Sequence, residues 1–247
     1  MTLALFVVAS AASCGGDDGA IEVAAASSLR HVLPRIVEDF RRGHPEAQVE
    51  LRFNGSQLLA TQIEEGADAD LFISANALQA ARLVDADLAR LPTVVTANRL
   101  VVAVAEDTPW QSIAELAAAE ATIAVGSPSV PVGALTVIAL AQLDPEVRGG
   151  LLRHVVTEDP SVRVVLSRLE LGEVHAAFVY HSDVAITRGL RALALPQTVP
   201  PNEYVAVLIA GADPRAEQLL TFLLGPDAQG LFQAASFLPA VAGVEAR

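Results

Sequence analysis

The stretch Ala24-Ala25-Ala26-Ser27-Ser28-Leu29 decides the fold. It ends a short apolar run, residues 20–25, that reads as a strand. It then opens a helical pattern in which Leu29, Leu33, Ile36 and Phe40 recur at i, i+4, i+7 and i+11. A serine at such a junction has two compatible roles. Its hydroxyl caps the free N–H groups of the first helical turn. It also stands where those groups and the positive end of the helix dipole converge, which suits an anion. Pro34 falls inside the pattern, where it would remove a hydrogen bond at a cost of about 3 kcal/mol. The helix is therefore expected either to kink or to start its regular part later.

Outward from this junction, strand and helix signals alternate. Residues 49–53 alternate as a strand, and Leu58, Leu59, Gln62 and Ile63 share one side of a helix that stops at Gly66. Residues 70–74 read as a strand followed by a helix from Asn76. Leu100–Ala105 is an uninterrupted apolar run, as expected of a strand buried on both faces. Ser112-Ile113-Ala114-Glu115 is a capping box. Residues 122–125 form a further strand ending at Gly126, with a helix near Gly133. Val162, Val165, Leu166 and Leu169 make a helical face that stops at Gly172. Residues 176–180 and 204–209 are strands. Asp213-Pro214 starts a helix with proline in its first turn, and Gly225-Pro226 separates two terminal helices. The alternation predicts an α/β protein with mostly parallel sheets.

Composition narrows the function classes. The 247 residues are 52% hydrophobic but only 4% aromatic, so Ala, Val and Leu build the core. All sixteen basic residues are arginine, and the net charge of −13 argues against a nucleic-acid binder. Residues 3–12 are too few to span a bilayer but fit the apolar core of a signal peptide. Ala11-Ala12-Ser13-Cys14-Gly15 resembles a bacterial lipobox, which makes Cys14 a lipidation candidate; a plain signal cleavage nearby is the alternative. Residues 15–19 then read as a tether. Cys14 is the sole cysteine, so no disulfide or thiol chemistry is available to the body. The five histidines show no paired ligand spacing, and no nucleophile–base pair or metal motif is present.

Four further junctions repeat the pattern at Ser28. They are Asn54-Gly55-Ser56, Val130-Pro131-Val132-Gly133, Asp159-Pro160-Ser161-Val162 and Tyr180-His181-Ser182-Asp183. In open α/β sheets, ligands bind outside the carboxyl ends of the strands. Converging there, these loops would offer hydroxyls and backbone N–H groups without a lysine or arginine. Charge-assisted hydrogen bonds of roughly 1.5–3 kcal/mol each could hold a buried dianion in that way.

Taken in order, these segments resemble the periplasmic molybdate-binding proteins of ABC transporters, which are type II periplasmic solute-binding proteins. Ala25-Ala26-Ser27-Ser28-Leu29 is similar to the family's Ala-Ala-Ala-Ser-Leu opening, with Ser27 in place of the third Ala. The run from Gly55 to Ala75, through Gln62-Ile63 and Gly66-Ala67-Asp68-Ala69-Asp70-Leu71-Phe72, matches the next segment. Val130-Pro131-Val132-Gly133, Glu158-Asp159-Pro160-Ser161-Val162-Arg163 (with two extra residues) and Val179-Tyr180-His181-Ser182-Asp183 follow in register.

The resemblance implies two α/β lobes, each a mostly parallel sheet flanked by helices, with the ligand in the cleft between them. Residues 1–19 would be leader and tether, 20–97 with 205–247 the first lobe, and 98–204 the second. It implies extracytoplasmic binding of molybdate, and of tungstate, for an ABC importer, by a monomer in the periplasm or tethered as a lipoprotein. The donors carried over are the hydroxyl and N–H of Ser28 and of Ser56, the backbone N–H groups of Val132 and Val162, and the hydroxyl of Tyr180. The metal would enter only inside the oxyanion; no cofactor, catalytic residue or nucleic-acid partner is implied. Another oxyanion such as sulfate or thiosulfate is the alternative ligand. A carboxylate ligand would call for an arginine clamp, and only Arg30 and Arg163 lie near these loops. A transferase of the same architecture needs a cysteine in the body, which this chain lacks. A ligand-sensing regulator would need a DNA-binding segment.

Overall fold

The computed structural model describes residues 19–240; the signal core, the lipidation candidate Cys14 and nearly all of the tether lie outside the described residues. Strands β1 (Ile21–Ala26), β2 (Val49–Asn54), β3 (Leu71–Ser74) and β4 (Ala89–Asn98) belong to a first sheet. After Arg99 the chain enters a second sheet of β5 (Leu100–Ala105), β6 (Ile123–Gly126), β7 (Val155–Asp159), β8 (Ala176–Tyr180) and β9 (Leu190–Ala194). It then returns to the first through β10 (Asn202–Ile209). The strand orders are β2-β1-β3-β10-β4 and β7-β6-β8-β5-β9.

The α/β class and the two lobes agree with expectation, but the sheets are mixed rather than mostly parallel. Among the described residues, β1 pairs parallel with β2 and β3, and β6 with β7 and β8. The remaining pairings, β10 with β3 and β4 and β5 with β8 and β9, are antiparallel. Every one of these antiparallel pairings involves β5 or β10, the first strand after each passage between the sheets. Three of the strands in these sheets, β4, β7 and β9, had no clear sequence signal. Val156 and Leu91 are exposed in them, so their patterns do not alternate cleanly.

Helices cover both faces of the first sheet. Val23 and Ala25 of β1 face one core, with Leu33, Ile36 and Phe40 of α1 (Leu33–Gly43), Leu219 of α9 (Pro214–Leu224) and Phe232 of α10 (Pro226–Ala234). Ala24 and Phe72 face the opposite core, with Leu59 and Ile63 of α2 (Ser56–Glu64) and Leu83 of α3 (Ala77–Asp85). Leu100–Ala105 lies at the centre of the second lobe's core, with Val102, Ala103 and Val104 fully buried. The proline problem resolves in favour of a late start. Ser27–Leu29 form a single 3₁₀ turn, and α1 begins at Leu33, which puts Pro34 in its first turn, where no intrahelical N–H is needed.

Candidate functional site

The remaining helices are α4 (Ile113–Ala118), α5 (Pro131–Ala141), α6 (Pro145–Arg153), α7 (Val162–Glu170) and α8 (His181–Ile186). Of these, α5, α7 and α8 start at the site. One small cavity is lined by Ala26, Ser27 and Ser28 after β1, Asn54–Ser56 after β2, and Ala75 after β3. From the second lobe it is lined by Val130–Val132, Ser161, Val162 and Tyr180. All five residues expected from the sequence, Ser28, Ser56, Val132, Val162 and Tyr180, are therefore on its wall, and each is buried. The cavity's free volume is about 20 Å³, on a scale where one water needs roughly 10–15 Å³. A compact ligand of a few atoms fits; a sugar or peptide does not.

Helix starts surround this space. Ser56 is the first residue of α2, Val132 the second of α5 and Val162 the first of α7, while Tyr180 caps α8. Ser28 sits in the 3₁₀ turn after β1. First-turn N–H groups have no intrahelical acceptor and carry the positive end of the dipole. The site thus gathers partial positive charge without a charged side chain. Arg30 instead lies over the Phe53 ring at 5.1 Å, and Arg163 pairs with Glu170 at 3.5 Å. Neither lines the cavity.

The hydroxyls are poised as donors. Ser56 Oγ accepts a hydrogen bond from Ala75 N–H at 3.0 Å. Ser28 Oγ accepts one from the Tyr204 hydroxyl at 2.8 Å. A serine hydroxyl has one proton and two lone pairs, so each retains its proton for a ligand. Tyr180 Oη is buried with no hydrogen-bond partner among the described residues. Burial, reinforced by Tyr204 and Asp183, pushes the Tyr180 pKa well above the ordinary tyrosine range, so this hydroxyl keeps its proton. A buried, unpartnered polar group costs about 1–3 kcal/mol, a cost that an acceptor placed in the cavity would relieve.

Two close approaches set the walls. Gly126 and Gly133 let α5 begin hard against the end of β6: a Cβ on residue 126 would meet the Val132 side chain at 2.5 Å. Across the cleft, a Cβ on Gly55 would lie 3.1 Å from the Pro160 carbonyl. The Pro160-Ser161 pair that looked like an insertion therefore forms the second lobe's edge of the cavity. Ser161 also caps α7 by accepting from Val164 N–H. Asp183 acts as a cap, its carboxylate accepting from Tyr180 N–H at 3.1 Å. Burial raises its pKa to about 7, against the lowering effects of that bond and of Arg163. His181 is exposed and does not line the cavity.

Sequence reasoning missed Ala75 and Tyr204. Ala75 carries no side-chain signal. Tyr204 looked like an ordinary strand residue, yet it is one of only two tyrosines in the chain, and both meet at this site with ring centroids 6.3 Å apart.

Comparisons with known proteins give the family and the fold. Residues 21–238 match the family described as bacterial extracellular solute-binding protein. The chain is 36% identical over 166 residues to the molybdate-binding protein ModA of Mycobacterium bovis, covering 66% of this chain and 61% of that one. The match thus spans less than two thirds of the mycobacterial relative's length. The molybdate-binding protein ModA of Escherichia coli is 30% identical over 241 residues, covering 90% of each chain. Among solved structures, the sulfate-binding protein SubI of Mycobacterium tuberculosis superposes with a TM-score of 0.81 at 17% identity, covering 90% of this chain and 88% of that one. At that identity the likeness concerns the fold alone.

Proposed function

The chain belongs to the bacterial extracellular solute-binding protein family, and on that premise we propose that it captures molybdate, and tungstate with it, for delivery to an ABC importer. The observation that carries this reading is the donor set. Two serine hydroxyls with an acceptor position already engaged, one buried tyrosine hydroxyl and several first-turn N–H groups line a cavity sized for a few atoms. Such a lining favours a fully deprotonated oxyanion, which offers only acceptors. The absence of arginine from the cavity lining speaks against a carboxylate ligand. Kinship with the molybdate-binding relatives favours molybdate among the oxyanions.

In this reading Ser28, Ser56, Val132, Val162 and Tyr180 are the ligand donors. Residues 20–97 with 205–247 and residues 98–204 are the lobes that close on the anion by a hinge motion. The protein works outside the cytoplasm, held there through Cys14 or released after signal cleavage, and hands its ligand to a permease. Its role is binding, with no chemical step. Sulfate is the second reading, favoured by the sulfate-binding structural neighbour. A ring of donors spaced for molybdate would leave the smaller sulfate with stretched hydrogen bonds. Calorimetric titration with molybdate, tungstate, sulfate and phosphate separates the two: molybdate and tungstate are expected to bind most tightly. Tight sulfate binding without molybdate binding would establish the second reading instead.

A further inference from the structure

Building on the reading of the cavity as an oxyanion site, we propose that Tyr204 is a positioning residue that holds the Ser28 hydroxyl in the orientation that donates to the ligand. Tyr204 is fully buried and does not line the cavity, so it acts through Ser28. Its hydroxyl donates to Ser28 Oγ at 2.8 Å. A serine hydroxyl otherwise rotates freely among three staggered positions, and in some of them it would turn its proton away from the cavity. With Tyr204's proton on one lone pair, the Ser28 proton must point elsewhere, and the cavity is where the neighbouring donors converge.

The end of β4, which pairs with β10, is itself fixed by hydrogen bonds. Asn98, at the end of β4, accepts from Arg99 N–H through Oδ1 at 2.9 Å, which makes its other side-chain atom the donor Nδ2. That Nδ2 donates to Ser182 Oγ at 2.7 Å. Tyr204 donates to Ser28 from a fixed position. The ring has little freedom to do otherwise: Tyr180 and Phe237 pack edge-on against it at 6.3 and 5.6 Å. A hydroxyl that accepts one hydrogen bond is polarised into a stronger donor of its own.

The test is a double-mutant cycle of Tyr204→Phe and Ser28→Ala, read by molybdate titration. Tyr204→Phe alone should weaken binding about five- to tenfold, as expected for one hydrogen bond lost from a charged ligand's partner. In the Ser28→Ala background the same change should cost no more than about twofold, since Tyr204 then has no Ser28 hydroxyl to hold and twofold is the ordinary margin of additivity. An equal loss in both backgrounds, or no loss in the first, would overturn the positioning role. Should Tyr204→Phe not fold, Tyr204→3-fluorotyrosine keeps the ring and strengthens the donor. Binding should then tighten only where Ser28 is present, and an equal change in both backgrounds overturns the proposal. A wild-type protein that binds no oxyanion would instead overturn the functional reading beneath it.

Discussion

Gly133 lies against the backbone of Ser127 so closely that a Cβ on residue 133 would stand 1.9 Å from the Ser127 carbonyl oxygen. Both contacting groups are held: Ser127 N–H is bonded to the Asp159 carbonyl, and Gly133 sits in the first turn of α5. Nothing flexible can give way. Gly133→Ala should therefore destabilise the protein by about 3 kcal/mol, the upper range for overpacking. It should also push the Val132 N–H away from the cavity. Denaturant unfolding and molybdate titration check both effects, and a variant as stable as wild type contradicts the packing.

Tyr180→Phe should separate stability from binding. The Tyr180 hydroxyl is buried and unpartnered among the described residues. Its removal should leave the ligand-free protein as stable or up to about 1 kcal/mol more stable, while weakening molybdate binding by about 1–3 kcal/mol. Ser28→Ala should weaken binding by a similar amount. Thermal unfolding without ligand, set beside calorimetry, reads both quantities. Wild-type affinity in both variants would remove these residues from the site.

Val162 offers a test of a backbone donor. It is the first residue of α7, a position where proline is compatible with a helix, and Ser161 before it is extended at φ −161°, ψ 157°. Val162→Pro removes the N–H while leaving the helix intact, so binding should fall by about 1–3 kcal/mol. Val162→Ala shortens the side chain and keeps the N–H, so its affinity should stay near wild type. Equal affinities for the two variants would exclude the amide as a donor.

Asp183 makes stability depend on pH. Its pKa rises from 3.8 to about 7 in the folded protein, chiefly through burial. Between those values the folded state holds a proton that the unfolded chain has released. Its stabilising contribution is thus complete below the lower value and is lost as pH rises through the upper one. The slope is at most ~1.4 kcal/mol per pH unit. Asp183→Asn keeps an acceptor for Tyr180 N–H and abolishes this titration. The variant's melting temperature should gain on wild type as pH rises toward about 7, then run parallel to it. Parallel curves throughout would show that Asp183 does not titrate in this way.

Much of the cavity lining was legible because it lies at strand-to-helix junctions, which leave local marks: Ser28 after an apolar run, Val132 between Pro131 and Gly133, and Tyr180 before Asp183. What was hidden depends on contacts between distant residues. Ser28 and Tyr204 are 176 positions apart, and no local pattern announces that pair. The antiparallel half of each sheet was hidden for the same reason. β10 pairs with β3 and β4 only because the chain returns from the second sheet, and its apolar run reads the same in either direction. Pro34 shows the opposite case: a local rule left only a kink or a later helix start, and α1 begins at Leu33.

The most direct test of oxyanion capture at this cavity is anomalous diffraction at the molybdenum edge from crystals grown with molybdate. A single strong peak is expected inside the cavity, within hydrogen-bonding reach, through its oxygens, of Ser28, Ser56 and Tyr180. A peak elsewhere on the surface, or an empty cavity at saturating molybdate, would contradict it.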